Sequence, residues 1–434
     1  MMNAMIILLS FKEKCVHIFK VFILISFGII NAQRIDSLFS QLYEEGEWKS
    51  FYQLNNSNEY EFIQINSRID SMYFLHQNNV QGSVLKSLFK PILGLSTRSQ
   101  ALRQLRVIKS AYPFIDDGSF LSFAKYDNNR IAAVVDFNPV FKSQIGGLLG
   151  ASKGKEGEWI STGEIDIHLE NPREKGSILD LKWQQPDANT RKLYFSIETP
   201  FLFSLPFGTL IQLDQNFIEN SYYIESTSGL LTGLSPFGQW RFGGKKESGK
   251  DLSQNKKFSS KSILLGLKVD RRNNRWLPYS GQFFETAMTL GNFNDHFGKT
   301  TMFESKFKFQ KYKNIGNSVI LVFSQGESVL LNNRKLISAK KVKYGGINTI
   351  RGYRENQFAS EWIFIQTFEL LFGNLKQSQS FIFIDIPAVS NYTIHPGYGL
   401  GFRQYKGTIA LDISIGFSKR SAGGKIHIKF SSKL

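Results

Sequence analysis

The sequence predicts a mainly β protein: a transmembrane antiparallel β-barrel of roughly sixteen strands, preceded by a small α/β domain. Three observations support this fold class. The first residues are typical of a secreted chain, hydrophobic and polar residues alternate from residue 141 to residue 434, and no later segment is apolar enough for a membrane-spanning helix. A secreted chain without such a helix can still cross a membrane as a closed barrel, because its strands satisfy all backbone groups among themselves.

Residues 1–32 are typical of a secretory signal peptide. Three lysines precede an apolar core at 21–30, and the small residue Ala32 marks the expected cleavage position. The alternative, a membrane anchor, is disfavoured because a spanning helix needs about 20 apolar residues. The one cysteine, Cys15, lies within this segment, so we expect a mature chain without disulfides or thiolate metal sites.

Residues 33–58 are expected to form a helical or irregular lead segment, or the remnant of a further domain. Residues 59–140 then combine strand and helix patterns. The predicted strands are 60–69, 120–126 and 130–137, with a turn at 127–129, and the predicted helices are 80–89 and 98–110. This succession is long enough for one small α/β domain.

The barrel is predicted over residues 141–434, where hydrophobic residues recur with period two, as from Ile409 to Phe417. A β-sandwich alternates in the same way. The secretion signal, the 14% of aromatic residues and two long polar segments, predicted as loops at 244–260 and 331–360, favour a membrane barrel. Each strand needs about ten residues and a connection, which leaves room for roughly sixteen strands.

The net charge of +17 has two interpretations. Basic residues can hold a barrel against anionic headgroups, or they can attract an acidic polypeptide or a nucleic acid. The first interpretation is favoured because the lysines and arginines are widely dispersed and no nucleic-acid motif accompanies them. We therefore expect outer-membrane lipid and lipopolysaccharide as partners, and no nucleic acid.

The sequence contains no pattern typical of a catalytic site. A Gly-x-Ser-x-Gly match at residues 150–154 lies in the alternating region with no predicted helix after it, so it is not a nucleophile elbow. The histidines are isolated rather than paired at metal-binding spacing. The three glycines at 397, 399 and 401 are not followed by a predicted helix, so they are not a dinucleotide loop. We expect no enzymatic activity, no cofactor and no metal site.

The sharpest motif is Gly-Gly-Ile-Asn-Thr-Ile-Arg-Gly-Tyr at residues 345–353. Taken alone, it is compatible with a solvated loop that carries an incidental arginine. Three further motifs follow or precede it in a fixed order. They are Asp270-Arg271-Arg272-Asn273-Asn274 with Pro278 and Gly281, then Phe383-Ile384-Asp385, then Gly397-Tyr398-Gly399 through Gly424-Lys425-Ile426-His427.

In their order and spacing, these motifs resemble the BamA and two-partner-secretion transporter superfamily of outer-membrane β-barrels, the bacterial surface antigen family. The resemblance covers most of residues 59–434. It implies that 59–140 is a single polypeptide-transport-associated (POTRA-like) domain in the periplasm. It also implies a barrel motif at one strand-turn-strand connection, comprising Asp270, Arg271, Pro278 and Gly281.

The resemblance further implies that the long loop folds back into the barrel and binds its wall through Arg351, Gly352 and Tyr353. Residue parity indicates the partners on the wall. Isoleucines at 382, 384 and 386 are expected to face lipid, which turns Asp385 inward, and the same argument turns Glu369 inward. We call these five residues, Arg351, Gly352, Tyr353, Asp385 and Glu369, the loop lock.

The implied function is insertion or translocation of polypeptides in the bacterial outer membrane, in protein assembly or secretion. Unfolded polypeptides would be the substrate, accessory assembly proteins would be further partners, and the seam strands around 145–150 and 424–430 would offer their edges. Two alternatives remain open. One is a passive or substrate-specific channel or structural barrel, and the other is a dedicated transporter of one secreted partner.

Overall fold

The structure, a computed structural model, describes most of the chain after residue 49. The described residues are 50–54, 60–64, 68–76, 79–112, 114–116, 118–126, 130–153, 159–187, 189–202, 205–274, 276–390, 395–406, 409–419 and 423–433. The predicted signal peptide and the predicted turn at 127–129 lie outside them.

Among the residues that the structure describes, five strands precede the barrel. Strands β1 (Ser50–Leu54) and β2 (Tyr60–Gln64) form an antiparallel hairpin. Strands β3 (Ile69–Phe74), β4 (Phe120–Tyr126) and β5 (Arg130–Asp136) form a separate sheet in the order β3-β5-β4. The central strand of this sheet is therefore the last of the three in the chain.

Two α-helices lie between β3 and β4. Helix α1 (Gly82–Phe89) continues into a 3-10 turn at Lys90–Ile92, and helix α2 (Arg98–Ala111) follows. At the start of α2, the side-chain oxygen of Thr97 accepts a hydrogen bond from the backbone N–H of Gln100, which satisfies one of the free donors of the first turn. Neither helix of the described chain has the length and apolar character needed to cross a membrane.

Two expectations for this region need correction. Within the lead segment 33–58, expected to be helical or irregular or the remnant of a further domain, residues 50–54 form β1, whose partner β2 supplies the backbone hydrogen bonds that make a strand stable. The other residues of this segment, 33–49 and 55–58, lie outside the described residues. The strand expected at 60–69 is two strands, β2 and the start of β3. The domain boundaries at 32, 58 and 140 stay predictions.

The predicted fold class is confirmed: sixteen antiparallel strands close into a barrel in which each strand pairs with the next barrel strand along the chain. The barrel strands are β6 (Gln144–Lys153), β7 (Trp159–Glu170), β8 (Ile178–Asp187), β9 (Thr190–Thr199), β10 (Gly208–Ile218), β11 (Tyr222–Ser235), β12 (Gly238–Asp251), β13 (Lys256–Asp270), β14 (Gly281–Asp295), β15 (Gly298–Ile315), β16 (Ser318–Leu331), β19 (Trp362–Phe372), β20 (Ser378–Val389), β21 (Gly397–Lys406), β22 (Ile409–Ser418) and β23 (Lys425–Lys433). Strands β17 (Val342–Tyr344) and β18 (Phe358–Ser360) form a hairpin within the connection between β16 and β19.

Side chains alternate between the interior and the outer surface along the wall. On β20, Ile382 and Ile384 are exposed, whereas Phe381, Phe383 and Asp385 are buried. This alternation is the one that a membrane barrel requires, because an outward carboxylate in lipid would be costly. The apolar outer surface also explains why so many large hydrophobic side chains are exposed.

One of the two loop predictions, the one for residues 244–260, is wrong. Residues 244–260 are mostly strand, since β12 and β13 run through this segment and are joined by residues 252–255. The outward side chains of this part of β12, such as Lys246 and Ser248, are polar, so the apolar alternation that marks a lipid-facing strand is absent. The second loop is present as residues 332–361, between β16 and β19.

The long loop follows the eleventh barrel strand, so it opens at the barrel end opposite to the start of β6. We predict that this end faces the cell exterior and that residues 33–140 face the periplasm. With cysteines introduced separately at Phe120 and Gln254, an impermeant thiol reagent should label only position 254 on intact cells, and both positions after lysis. Labelling of position 120 on intact cells would contradict this orientation.

Candidate functional site

The long loop lies inside the barrel. Its buried side chains include Val342, Tyr344, Ile350 and Tyr353, which belong to one hydrophobic cluster with inward side chains of seven wall strands. The wall side chains of this cluster are Tyr222, Phe258, Phe293, Met302, Val329, Leu331, Ile363, Ile365 and Val389. Burial of this many apolar groups favours the folded-in position of the loop.

Glycines shape the tip of the loop. Gly345 and Gly346 have φ angles of 113° and 99°, a region that other residues rarely adopt. The turn is closed by two hydrogen bonds: Gly346 N donates to the Ile350 carbonyl over 3.0 Å, and Gly345 N donates to the Thr349 hydroxyl over 2.7 Å. Arg351 directly follows this turn, so the geometry of the turn fixes the position of the Arg351 backbone.

Arg351 joins the loop to two wall strands. Its Nη2 and Nε atoms donate to the two carboxylate oxygens of Asp385 over 2.7 and 3.0 Å, and its Nη1 donates to Glu369 Oε1 over 2.6 Å. The backbone N–H of Arg351 also donates to Asp385, over 3.0 Å. The planar guanidinium suits this two-pronged binding, which a lysine ammonium would not reproduce.

Asp385 is completely buried, and its remaining contacts satisfy it. The Thr367 hydroxyl donates to Asp385 Oδ1 over 2.8 Å. Its partner Arg351 makes a further contact: the guanidinium lies 3.5 Å from the ring centre of Phe383, which is a cation–π interaction. A buried charge is costly unless it is paired and hydrogen-bonded, and both conditions hold at Asp385.

A second arginine, which sequence reasoning missed, extends the network. Arg403 on β21 donates to Glu369 through Nη1 and Nη2 over 2.8 and 3.1 Å, and through Nε to Asp412 on β22 over 2.9 Å. Two arginines therefore share three carboxylates across four neighbouring strands. The sequence alone could have predicted that Arg403 faces the barrel interior. Arg403 lies on the same side of β21 as the glycines at 397, 399 and 401, and Leu400 lies on the outward side.

Small residues let the tip approach the wall. Gly352 has a φ of 93°, and a Cβ atom there would lie 2.7 Å from the Phe417 carbonyl oxygen. On the wall, a Cβ at Gly397 would overlap the Arg351 carbonyl, and one at Gly416 would overlap the Gly352 nitrogen. The loop backbone and β21–β22 can touch only because neither side carries a side chain at these points.

Tyr353 belongs to the same tip but not to the ion pairs. Its hydroxyl donates to the Pro396 carbonyl over 3.3 Å, and its ring packs edge-on against Phe358 and near His395. Tyr353 thus connects the loop hairpin to the connection between β20 and β21. Its position is one of packing, separate from the carboxylates that bind Arg351.

The barrel motif forms the connection between β13 and β14. Within it, Arg272 pairs with Asp270: Nη2 lies 2.6 Å and Nε 2.9 Å from its carboxylate oxygens. Arg271 is exposed. Neighbouring residues of a strand point to opposite sides, so the inward Asp270 faces the residue two positions later.

The other motif residues shape the same turn. Gly281 has a φ of 92°, and a Cβ there would overlap the Arg271 carbonyl. The Pro278 carbonyl accepts a hydrogen bond from Gln379 Nε2 over 3.2 Å, which ties the turn to β20. Asn273 caps the turn, since its side-chain oxygen accepts from the backbone N–H of two residues near its end.

Three loop-lock residues and residues of the connection between β13 and β14 line one cavity of about 340 Å³ inside the barrel. Arg272 and Pro278 contribute from one side, and Arg351, Glu369 and Asp385 from another. Two sequence motifs separated by some 70 positions are therefore neighbours in space.

A second anchor, also missed by sequence reasoning, fixes the first half of the loop. Lys340, which is buried, lies with its Nζ atom 2.7 Å from a carboxylate oxygen of Glu247 on β12 and 2.6 Å from one of Glu304 on β15. Lys245 also binds Glu304, over 2.7 Å. We call Lys340, Glu247, Glu304 and Lys245 the lysine anchor. Lys340 was missed because a loop has no periodicity that would indicate a buried position.

Comparison with known proteins identifies the family to which this closed sixteen-stranded barrel belongs. A family model described as the Omp85 superfamily domain matches residues 181–431, more than half of the chain. The chain therefore belongs to the Omp85 superfamily, a family of outer-membrane β-barrels for protein assembly and translocation.

Similar solved structures share the fold at low sequence identity. BamA from Haemophilus ducreyi lacking POTRA domains 1–3 is 12% identical, with a TM-score of 0.51, over 93% of this chain and 94% of that one. CdiB from Acinetobacter baumannii is 11% identical, with a TM-score of 0.59, over 91% and 80%. CdiB from Escherichia coli is 10% identical, with a TM-score of 0.58, over 92% and 83%. No curated protein matches the sequence significantly.

We predict that Arg351→Ala releases the tip of the loop. The change leaves buried Asp385 without its main partner, and loss of one member of a buried ion pair costs roughly 3–5 kcal/mol. The folded barrel should lose heat resistance on a gel, and residues 345–357 should become sensitive to protease. Arg354→Ala is the matched control, since Arg354 is an exposed arginine of the same tip. Equal heat resistance and protease sensitivity in both variants would show that Arg351 does not hold the loop.

We predict that the lysine anchor holds a different part of the loop from the loop lock. Lys340→Ala should raise hydrogen exchange around residues 336–341 and leave the tip at 346–353 protected, because the two networks share no residue. Lys341→Ala, at the neighbouring position, should change neither region. Loss of protection across the whole loop in the Lys340 variant would mean that the loop behaves as one unit with no independent anchor.

Proposed function

We propose that this barrel inserts or translocates polypeptides in the outer membrane by opening the seam between its last and first strands. The observation that carries the proposal is the weakness of that seam. Among the described residues, β23 and β6 share two paired positions, Ser432 with Ile145 and Lys433 with Gln144. By contrast, β23 pairs with β22 at eight positions, and β6 pairs with β7 at ten.

The weak seam leaves strand edges that another strand can use. Backbone N–H and C=O groups that lack partners are expensive in lipid. A polypeptide that adds its own strand to such an edge satisfies these groups through main-chain bonds, without any demand on its sequence. The edge of β23 also lies in an apolar surface, because Ile426 and Ile428 are both 66% exposed.

The sequence of β6 weakens the first strand further. Gly146, Gly147 and Gly150 occupy three of its ten positions. Glycine in a strand interior has no side chain to pack and loses more conformational entropy on folding than other residues. Separation of β6 from β23 therefore disrupts few side-chain contacts, which suits a seam that opens and closes.

The loop lock supports the same proposal from inside the barrel. Its tip touches Gly397 on β21 and Gly416 and Phe417 on β22, the two strands that precede β23. The lock can thus hold the wall beside the seam in place while the seam itself moves. A loop that occupies the interior also disfavours the alternative of a permanently open channel.

The strands and helices before the barrel are proposed to form the POTRA-like periplasmic domain at 59–140. In the sheet order β3-β5-β4, two strands are edges. An edge strand can receive an extended polypeptide before it reaches the barrel. The sheet and its two helices amount to one such unit in the described chain, and a single receiving unit favours the second candidate function, a dedicated transporter of one secreted partner.

We predict that a disulfide across the seam stops activity. Cysteines in place of Ile145 and Ser432 would occupy directly paired positions, where the Cα separation of an antiparallel pair, about 4.5–5.5 Å, permits a disulfide. The oxidised variant should fold but fail to support assembly or secretion in cells, and a reductant should restore activity.

The matched control places a disulfide between β23 and its other neighbour, β22. Ile413 and Ile428 are directly paired between β22 and β23. Cysteines there should form a disulfide and leave activity unchanged, because β22 and β23 need not separate. A seam-locked variant that remains as active as this control would rule out opening of the seam and favour a channel or structural role.

A further inference from the structure

Two pairs of lysines lie directly opposite each other on the neighbouring strands β12 and β13. Lys246 is paired with Lys261, and Lys250 is paired with Lys257. Between the two pairs, Ser248 lies opposite Ser259. Like charges at directly paired positions destabilise a sheet, because their Cβ atoms are only about 4.5–5.5 Å apart.

These lysines belong to the outer surface of the barrel. Lys246, Lys257 and Lys261 are exposed, whereas Glu247, next to Lys246, is buried in the interior lysine anchor. Phe258, next to Lys257, is likewise buried in the interior cluster. Strand alternation therefore separates the inward charges, which are paired, from the outward ones.

Nothing that the structure describes neutralises the outward lysines. The ion pairs of the described residues include none of these four lysines. On the neighbouring strand β11, the outward Glu225 lies opposite Ser248 and accepts a hydrogen bond from the Tyr223 hydroxyl over 2.6 Å. The carboxylate of Glu225 therefore lies beside four lysine ammonium groups and cannot balance their charge. An anion from outside the protein would reduce the repulsion among these lysines.

The position of these lysines on the wall indicates where the anion would come from. Directly below Lys261 on β13, the outward side chains are Ile263 and Leu265, which are 61% and 57% exposed. Phe242 on β12 and Leu290 on β14 continue this apolar surface. Such a band is the lipid-facing belt of a barrel, so the lysines lie at headgroup height.

They lie toward the barrel end at which the long loop opens, because residues 252–255 follow the seventh strand and the loop follows the eleventh. Given the orientation predicted above, this is the outer leaflet. Lys299 on β15 extends the same border, beyond the neutral outward residues Asn292 and Asn294 of β14. We call Lys246, Lys250, Lys257, Lys261 and Lys299 the lysine patch.

We propose that the lysine patch is a binding site for lipopolysaccharide, and that it takes the phosphate groups of this outer-leaflet glycolipid. The two lysine pairs are four residues apart, about 13 Å along the strand. Two separate clusters of positive charge suit a ligand that carries more than one phosphate, and they suit a phospholipid with a single phosphate less well. The lysine patch lies on β12, β13 and β15, away from the seam between β23 and β6, so this proposal does not depend on whether the seam opens.

The test uses the full chain in nanodiscs of zwitterionic phospholipid, titrated with purified lipopolysaccharide. Replacement of Lys246, Lys250, Lys257 and Lys261 by glutamine should weaken binding roughly tenfold or more, since each lysine near an anionic surface contributes. Replacement of the same four by arginine should retain binding, because the charge remains. Enzymatically dephosphorylated lipopolysaccharide should bind the unaltered protein as weakly as intact lipopolysaccharide binds the glutamine variant.

The matched control removes four lysines from the opposite end of the barrel, by glutamine at Lys311, Lys313, Lys376 and Lys406. This control has the same net charge as the test variant and should bind like the unaltered protein. Heat resistance on a gel checks that each variant is folded. Equal binding by the two glutamine variants would overturn the proposal, and so would equal competition by an anionic phospholipid, which would show an unspecific attraction to negative charge.

Discussion

The pairing of buried charge inside the barrel is the constraint on which the rest of this structure depends. Arg351 can occupy the interior only because Asp385 and Glu369 neutralise it, and each of these carboxylates is buried only because the arginine is there. The same requirement recurs at Arg403, which shares Glu369, and at Lys340, which lies between two further carboxylates. Breaking either network would leave unpaired charge away from water, so both oppose release of the loop.

The strength of these interior contacts contrasts with the weakness of the seam. Around most of the wall, neighbouring strands are paired along nearly their whole length, but the first and last strands meet at two positions. The proposed opening would follow this line, because separation there breaks the fewest backbone pairs between neighbouring barrel strands. The loop tip contacts the two strands next to the last one, so the interior ion pairs stiffen the wall where an opening seam would strain it most. This contrast between a well-paired wall and one sparsely paired seam is the feature that supports the proposed role in polypeptide insertion or translocation.

Strict alternation explains why much of the site could be predicted from the sequence. Asp385 and Glu369 were expected to face inward because the isoleucines and aromatic residues around them share the opposite parity. The same argument would have found Arg403, whose inward neighbours are glycines rather than a recognisable motif. Lys340 lies in a loop, where no period exists, and its burial depends on side chains from distant strands. Residues 244–260 were predicted as a loop although they belong to β12 and β13. The outward side chains of these strand segments are lysines and other polar residues, a composition that is also typical of loops.

The central claim is that the chain acts on other polypeptides of the outer membrane, and depletion tests it most directly. The protein would be depleted in growing cells, and the outer-membrane and secreted proteins that disappear would be inventoried by quantitative mass spectrometry. The account predicts loss of other polypeptides: many barrels if the chain is a general insertase, or one secreted protein if it is a dedicated transporter. An outer-membrane and secreted inventory that stays unchanged after depletion would contradict the account and leave a channel or structural barrel.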